Sequence, residues 1–163
     1  MDMGPDLHRE LGAALNGEVW SLLEKPDRTQ AEDMRMIHAA HASQYHWLVG
    51  GDEANEQRGE WLIARVYLVL GHPEAALRHA RRCMELTERH PGKMQDFDLA
   101  FAYEGLARTS ALAGDSEEAA RLKAKARELG SRIADPEDRQ IFEQDFASGQ
   151  WFGVDGQTSS GTT

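Results

Sequence analysis

Between residues 54 and 132 the chain resembles itself at an offset of 43 positions, and no other feature of its 163 residues limits the fold as strongly, the alternative being a plain antiparallel bundle whose Ala-rich helices look alike by composition. With Gly71 set on Gly114, 43 positions later, Ala64 falls on Ala107, Arg65 on Arg108, Glu74 on Glu117 and Ala76 on Ala119. Farther on, Arg78 meets Arg121, Glu85 meets Glu128 and Leu86 meets Leu129, while Ile63 with Leu106 and Cys83 with Ala126 are similar pairs. Each match has a mechanical reason. Gly71 and Gly114 stand where a helix ends and the chain reverses, a place for a residue tolerant of positive φ. The four alanines let paired helices approach closely, and Leu86 and Leu129 fill the space between pairs. The unit is an αα-hairpin, and a repeated hairpin builds a stack.

Punctuation falls at Pro26, Gly50-Gly51, Gly71-His72-Pro73, Pro91-Gly92, Gly114-Asp115, Ala134-Asp135-Pro136 and Gly149. Between these marks apolar residues recur at spacings of three and four, and no stretch alternates in the manner of a strand. Thr29-x-x-Glu32 reads as a capping box, Asp115-Ser116 with Glu118 as a weaker one, and Asp135-Pro136 as a cap before a first-turn proline. The spacing predicts helices over 6–24, 29–48, 53–70, 73–90, 95–113, 116–132 and 136–148. The expected fold is all-α, an array of αα-hairpins with about seven helices, in one domain over 1–152. Within it, 6–48 form a degenerate leading pair, 54–90 and 95–132 the two repeats, and 136–148 a cap. The tail over 153–163 has nothing to bury and is expected to be flexible.

The stretches "IARVYLVLGHPEAALRHARRCMEL" and "LARTSALAGDSEEAARLKAKAREL" resemble the tetratricopeptide repeat family in their small-residue, glycine and alanine pattern. Tyr67, four residues before Gly71, matches the family's aromatic; Ser110 departs from it in the second unit, and the closing proline is missing from its usual place. A spacing of 43 instead of the family's 34 implies longer helices. The resemblance covers about residues 54–132. It implies a superhelical array, a non-enzymatic scaffold for proteins or peptides, no cofactor, and a concave groove lined by the first helix of each pair.

Helical spacing says which side chains such a groove would present. Arg58, Trp61, Arg65 and Leu68 share one side of their helix, and Phe101, Glu104, Arg108 and Ala111 are the equivalent set one repeat later. Ile63, Ala64 and Tyr67 lie on the opposite side, for packing. Arg58, Trp61, Arg65, Phe101, Glu104 and Arg108 are therefore the candidate partner-binding residues. Guanidinium groups beside aromatic rings suit an acidic or carboxylate-ending peptide. The alternative is that both arginines pair with local carboxylates, Glu104 being an i,i+4 candidate for Arg108.

Histidine is concentrated in one helix, where Met34, His38, His41 and Tyr45 fall on one side and His46 points away from His38. Two histidines three apart can share a metal, and "HAAHASQYHW" looks like a helix of the DinB-like metal-binding bundles, which makes a histidine site at His38 and His41 the competing reading. A third ligand would have to come from His8 or Glu18 of the first helix, H-E-x-x-H is absent, and that family's later histidine pair has no counterpart. Histidines partly buried between the leading helices, with Tyr45 and Trp47 packing, are the simpler expectation.

Cys83 stands alone and matches Ala126, so it reads as a small packing residue. No nucleophile elbow, phosphate loop or dinucleotide fingerprint appears, and no catalytic residue is assigned. A formal charge of −10 argues against nucleic acid, which needs a surplus of Lys and Arg. The polar start and the lack of a long apolar run argue against a leader or a membrane span, making the cytoplasm the expected location. Two units are few for a solenoid; either the flanking helices complete it, or self-association does, as a homodimer using apolar residues near Trp151-Phe152.

Overall fold

The computed structural model describes residues 3–154. They form seven α-helices, α1 (Pro5–Glu24), α2 (Gln30–Gly50), α3 (Glu53–Val69), α4 (Pro73–Arg89), α5 (Asp96–Leu112), α6 (Ser116–Ser131) and α7 (Pro136–Ala147), with a 3-10 turn at Pro91–Lys93 before α5. No strand occurs among the described residues. The tail expected to be flexible lies, beyond Val154, outside them.

Local chemistry sets the boundaries. Thr29 and Glu32 make the reciprocal box at the start of α2, the Thr29 hydroxyl accepting from the Glu32 N–H at 3.2 Å and the Glu32 carboxylate from the Thr29 N–H at 2.8 Å. The Asp135 carboxylate accepts from the N–H groups of Glu137 and Asp138, and Pro136 opens α7 where no donor is needed. Asp115 accepts from the Glu118 N–H but gets no reciprocal bond. Sequence reading missed a further box, Asp52 with Asn55, which starts α3. Helix α2 runs to Gly50, two residues past its expected end, because α1 crosses it there: a Cβ on Gly50 would sit 2.6 Å from the Pro5 carbonyl.

The two repeats share their turns atom for atom. The His72 N–H donates to the Tyr67 carbonyl and the Gly71 N–H to the Leu68 carbonyl; 43 residues later Asp115 donates to Ser110 and Gly114 to Ala111. Gly71 and Gly114 have φ of 77° and 89°, the left-handed value this helix-ending pattern needs. Helices α3 and α5 begin 43 residues apart, and so do α2, α4 and α6, at Gln30, Pro73 and Ser116. The spacing therefore extends to α2 of the leading pair but not to α1, which begins 48 residues before α3.

Each odd-numbered helix through α5 packs on the even-numbered helix after it; α2 also packs on α3, α4 on α5, α3 on α5, and α7 on both α5 and α6. Val19, Met36, Leu62, Ile63 and Val66 form the core of α1 to α3. Cys83, Met84 and Ala102 join α4 to α5, and Ala100, Ala126, Ile133 and Phe142 join α5 and α6 to α7. The paired alanines Ala64, Ala107, Ala76 and Ala119 are all buried. Trp151 caps the end of the fold: its ring lies 5.1 Å from Phe146 and 4.1 Å from the Arg108 guanidinium.

Candidate binding cleft

Arg58, Trp61 and Arg65 stand in sequence along α3, facing Phe101, Glu104 and Arg108 on α5. Arg58 donates through Nε and Nη2 to the two oxygens of Asp98, at 2.8 and 2.9 Å, and lies 5.1 Å over the Phe97 ring. That bidentate bond to Asp98 raises the Arg58 pKa against the opposing cost of burial. The Trp61 indole N–H donates to the Phe101 carbonyl at 3.0 Å and reaches the Glu104 carboxylate at 3.3 Å. The Trp61 ring stacks on Trp20 of α1 at 5.9 Å and meets the edge of Phe101 at 5.4 Å.

Arg65 and Arg108 do converge, and they converge on Glu104. Arg65 Nη2 donates to Glu104 Oε1 at 2.7 Å and to Asp145 Oδ2 at 2.7 Å; Arg108 Nε donates to the same Glu104 oxygen. The remaining Arg108 nitrogens donate to the carbonyls of Gln150 at 3.0 Å and Asp145 at 2.8 Å, at the end of α7. Glu104 has no exposed surface and Arg108 only 1%. Burial pushes the Glu104 carboxyl up, while Arg65 and Arg108 pull it back toward the ionised form. Both guanidinium groups are thus committed within the fold, the i,i+4 pairing of Glu104 with Arg108 among those bonds.

What stays open beside them is a cleft of about 350 Å³ between α1, α3, α5 and α7. Trp20, Trp61, Phe97, Phe101 and Ile141 wall it, with Trp20 38% and Ile141 58% exposed at its mouth. Its polar groups are Gln57, Arg58, Asp98, Asp138 and Asp145. Three arginines here, Arg58, Arg65 and Arg108, are answered by three carboxylates, Asp98, Asp145 and Glu104. Asp138 is left over. Its pKa is raised by desolvation and then by the charges of Asp135, Asp96 and Glu137, so the mouth carries excess negative charge.

The histidine face of α2 turns outward. Met34, His38, His41 and Tyr45 are all exposed, because the stripe that α2 buries is Met36, Ala39, Ala40, Ser43 and Gln44. The expectation of histidines partly buried between the leading helices, with Tyr45 and Trp47 packing, therefore fails for His38, His41 and Tyr45 and holds for His46 and Trp47; His46 Nδ1 shares a 2.8 Å hydrogen bond with His8 Nδ1, and Trp47 packs against Gly12. His41 Nε2 and the Tyr67 hydroxyl share a hydrogen bond at 2.9 Å, and the His41 ring lies 5.4 Å from that of His79, whose Nδ1 is 2.6 Å from Glu60. Burial, then the neighbouring His79, lowers the His41 pKa. Among the described residues no three His, Cys, Asp or Glu side chains are placed to hold a metal ion. Cys83 is buried in the core, and burial pushes its thiol pKa far up.

Sequence reasoning missed Gln57, Phe97 and Asp98 of the repeat helices as well as Trp20, Asp138, Ile141 and Asp145. A signal for three of them was present: positions 138, 141 and 145 are spaced by three and four and share one side of α7. Nothing in the spacing tied that side to α3. Among the described residues no helix is long and apolar enough to cross a membrane. Compared with protein-family models, curated proteins and solved structures, the chain matches none.

Proposed function

We propose that the chain is a non-enzymatic scaffold of tetratricopeptide-repeat type that binds a partner peptide in the cleft between α1, α3, α5 and α7. The repeat reading is supported by the 43-residue spacing of the helix starts and by the identical turns at Gly71 and Gly114. The observation that carries the binding reading is the aromatic cleft itself: four rings and Ile141 surround a space large enough for a bulky apolar side chain, and two of these residues stay exposed. Concave, largely apolar sites with a few convergent polar groups are where ligands bind, and a buried anchor side chain supplies most of the affinity of such contacts. An acidic peptide would meet arginines whose charges Asp98, Glu104 and Asp145 already balance, so the apolar anchor is the better-supported part of the partner's chemistry.

A selection of random peptides displayed on phage, run against the immobilised chain, tests this. Enriched peptides should carry a large apolar residue and lose binding to an Ile141→Asn variant, whose substitution lies at an exposed position and leaves the core intact. Enrichment of peptides that bind wild type and Ile141→Asn alike would place the site elsewhere, and no enrichment would remove the reading.

A further inference from the structure

Resting on that reading, we infer that the partner segment carries a lysine or arginine next to its apolar anchor, the basic group docking on Asp138 at the cleft mouth. The argument is one of charge balance around a specific opening. Every guanidinium lining or backing the cleft is already answered by a carboxylate: Arg58 by Asp98 in a two-bond fork, Arg65 by Glu104 and Asp145, Arg108 by the shared Glu104 and by the carbonyls of Asp145 and Gln150. Arg65 and Arg108 are nearly or wholly buried in these bonds, and Arg58, whose Nη1 alone makes no bond among the described residues, has its charge balanced by the Asp98 fork.

The carboxylates are in surplus. Asp138 lines the cleft, is partly exposed, and takes no side-chain hydrogen bond among those of the fold; its nearest charged influences are Asp135, Asp96 and Glu137, all of the same sign. The Asp96 and Asp135 carboxylates are occupied as acceptors, for the Ala134 N–H and for the first N–H groups of α7, which leaves Asp138 as the rim carboxylate free to receive a donor. A neighbouring cation would relieve this repulsion at the same time as it made its own bond. The alkyl stem of Lys or Arg can run over exposed Trp20 and Ile141 while its head reaches the rim, so the apolar wall and the acidic edge are read by one short segment. The charge of the whole chain, −10, draws the same class of partner toward the cleft.

The test uses the full chain and three fluorescein-labelled peptides that differ only in their flanks: Ser-Ala-Lys-Phe-Lys-Ala-Ser, its Gln counterpart and its Glu counterpart, followed by fluorescence polarisation at low salt. The Lys peptide should bind about tenfold or more tighter than the Glu peptide, with Gln between them. Asp138→Asn should erase most of that difference while leaving the circular dichroism spectrum unchanged, and added salt should weaken the Lys peptide selectively. Equal binding of all three, lost in Ile141→Asn, would overturn the charge assignment and leave the cleft reading standing. Failure of all three to bind would overturn both. Sedimentation of the chain alone supplies the remaining outcome: a dimer that Asp138→Asn dissociates would give the cleft to a second copy, whose α4 carries exposed Arg78 and Arg81, and would overturn the peptide assignment.

Discussion

Glu104 is the residue on which the centre of the molecule turns. It is a fully buried carboxylate, and it is tolerable only because two guanidiniums bind it, one from its own helix and one from α3. Arg108 then spends its other nitrogens on the carbonyls of Asp145 and Gln150, so a single side chain ties α5 to the end of α7 and to the segment that follows. Removing one partner of such a cluster leaves a charge buried with incomplete compensation. Arg108→Met should therefore lower unfolding stability by about 3 kcal/mol, measured as a shift in the urea midpoint at constant slope. Arg121→Met, which breaks the exposed pair with Glu118 on α6, should leave the midpoint where it is. Equal effects of the two would mean that the buried cluster is no stronger than a surface ion pair. Of this cluster, the Glu104–Arg108 contact was legible as an i,i+4 pair. The bond from Arg65 to Asp145 crosses 80 positions of sequence, and no local pattern encodes it.

At the scale of the element, most of the fold follows from punctuation and period. The turns at Gly71 and Gly114 could be placed because glycine is the residue that takes positive φ without strain, and both glycines are found there with φ near 80°. A Cβ at either position would meet no atom within 4 Å, so substitution would strain the backbone and nothing else. Gly71→Ala and Gly114→Ala should each destabilise by about 1 kcal/mol, and by similar amounts, in thermal or urea unfolding. A large cost at one turn with none at the other would argue against their equivalence. The element that sequence reading under-described is α7. Its length and caps were readable, but a terminal helix looks like a cap whichever way it lies, and its packing on α5 and α6 decides that Asp138, Ile141 and Asp145 face the cleft. For α2 the histidine spacing drew attention to the wrong side, since Met36, Ala39 and Ala40, a plain apolar stripe, are what the helix buries.

At the scale of the whole molecule, three helix pairs and a closing helix leave, among the described residues, an aromatic-walled opening whose arginines are balanced from within and whose rim carries Asp138. On the proposed reading, such an opening selects a partner with an apolar anchor and a basic neighbour. The four tryptophans report on this directly, because Trp20 and Trp61 wall the cleft while Trp47 packs against Gly12 between α1 and α2, away from it. With the indole nitrogens labelled with nitrogen-15, titration of the Lys-flanked peptide should move the Nε1–H signals of Trp20 and Trp61 progressively and leave that of Trp47 in place. Movement of the Trp47 signal with Trp20 and Trp61 unmoved, or no movement at saturating peptide, would contradict the account.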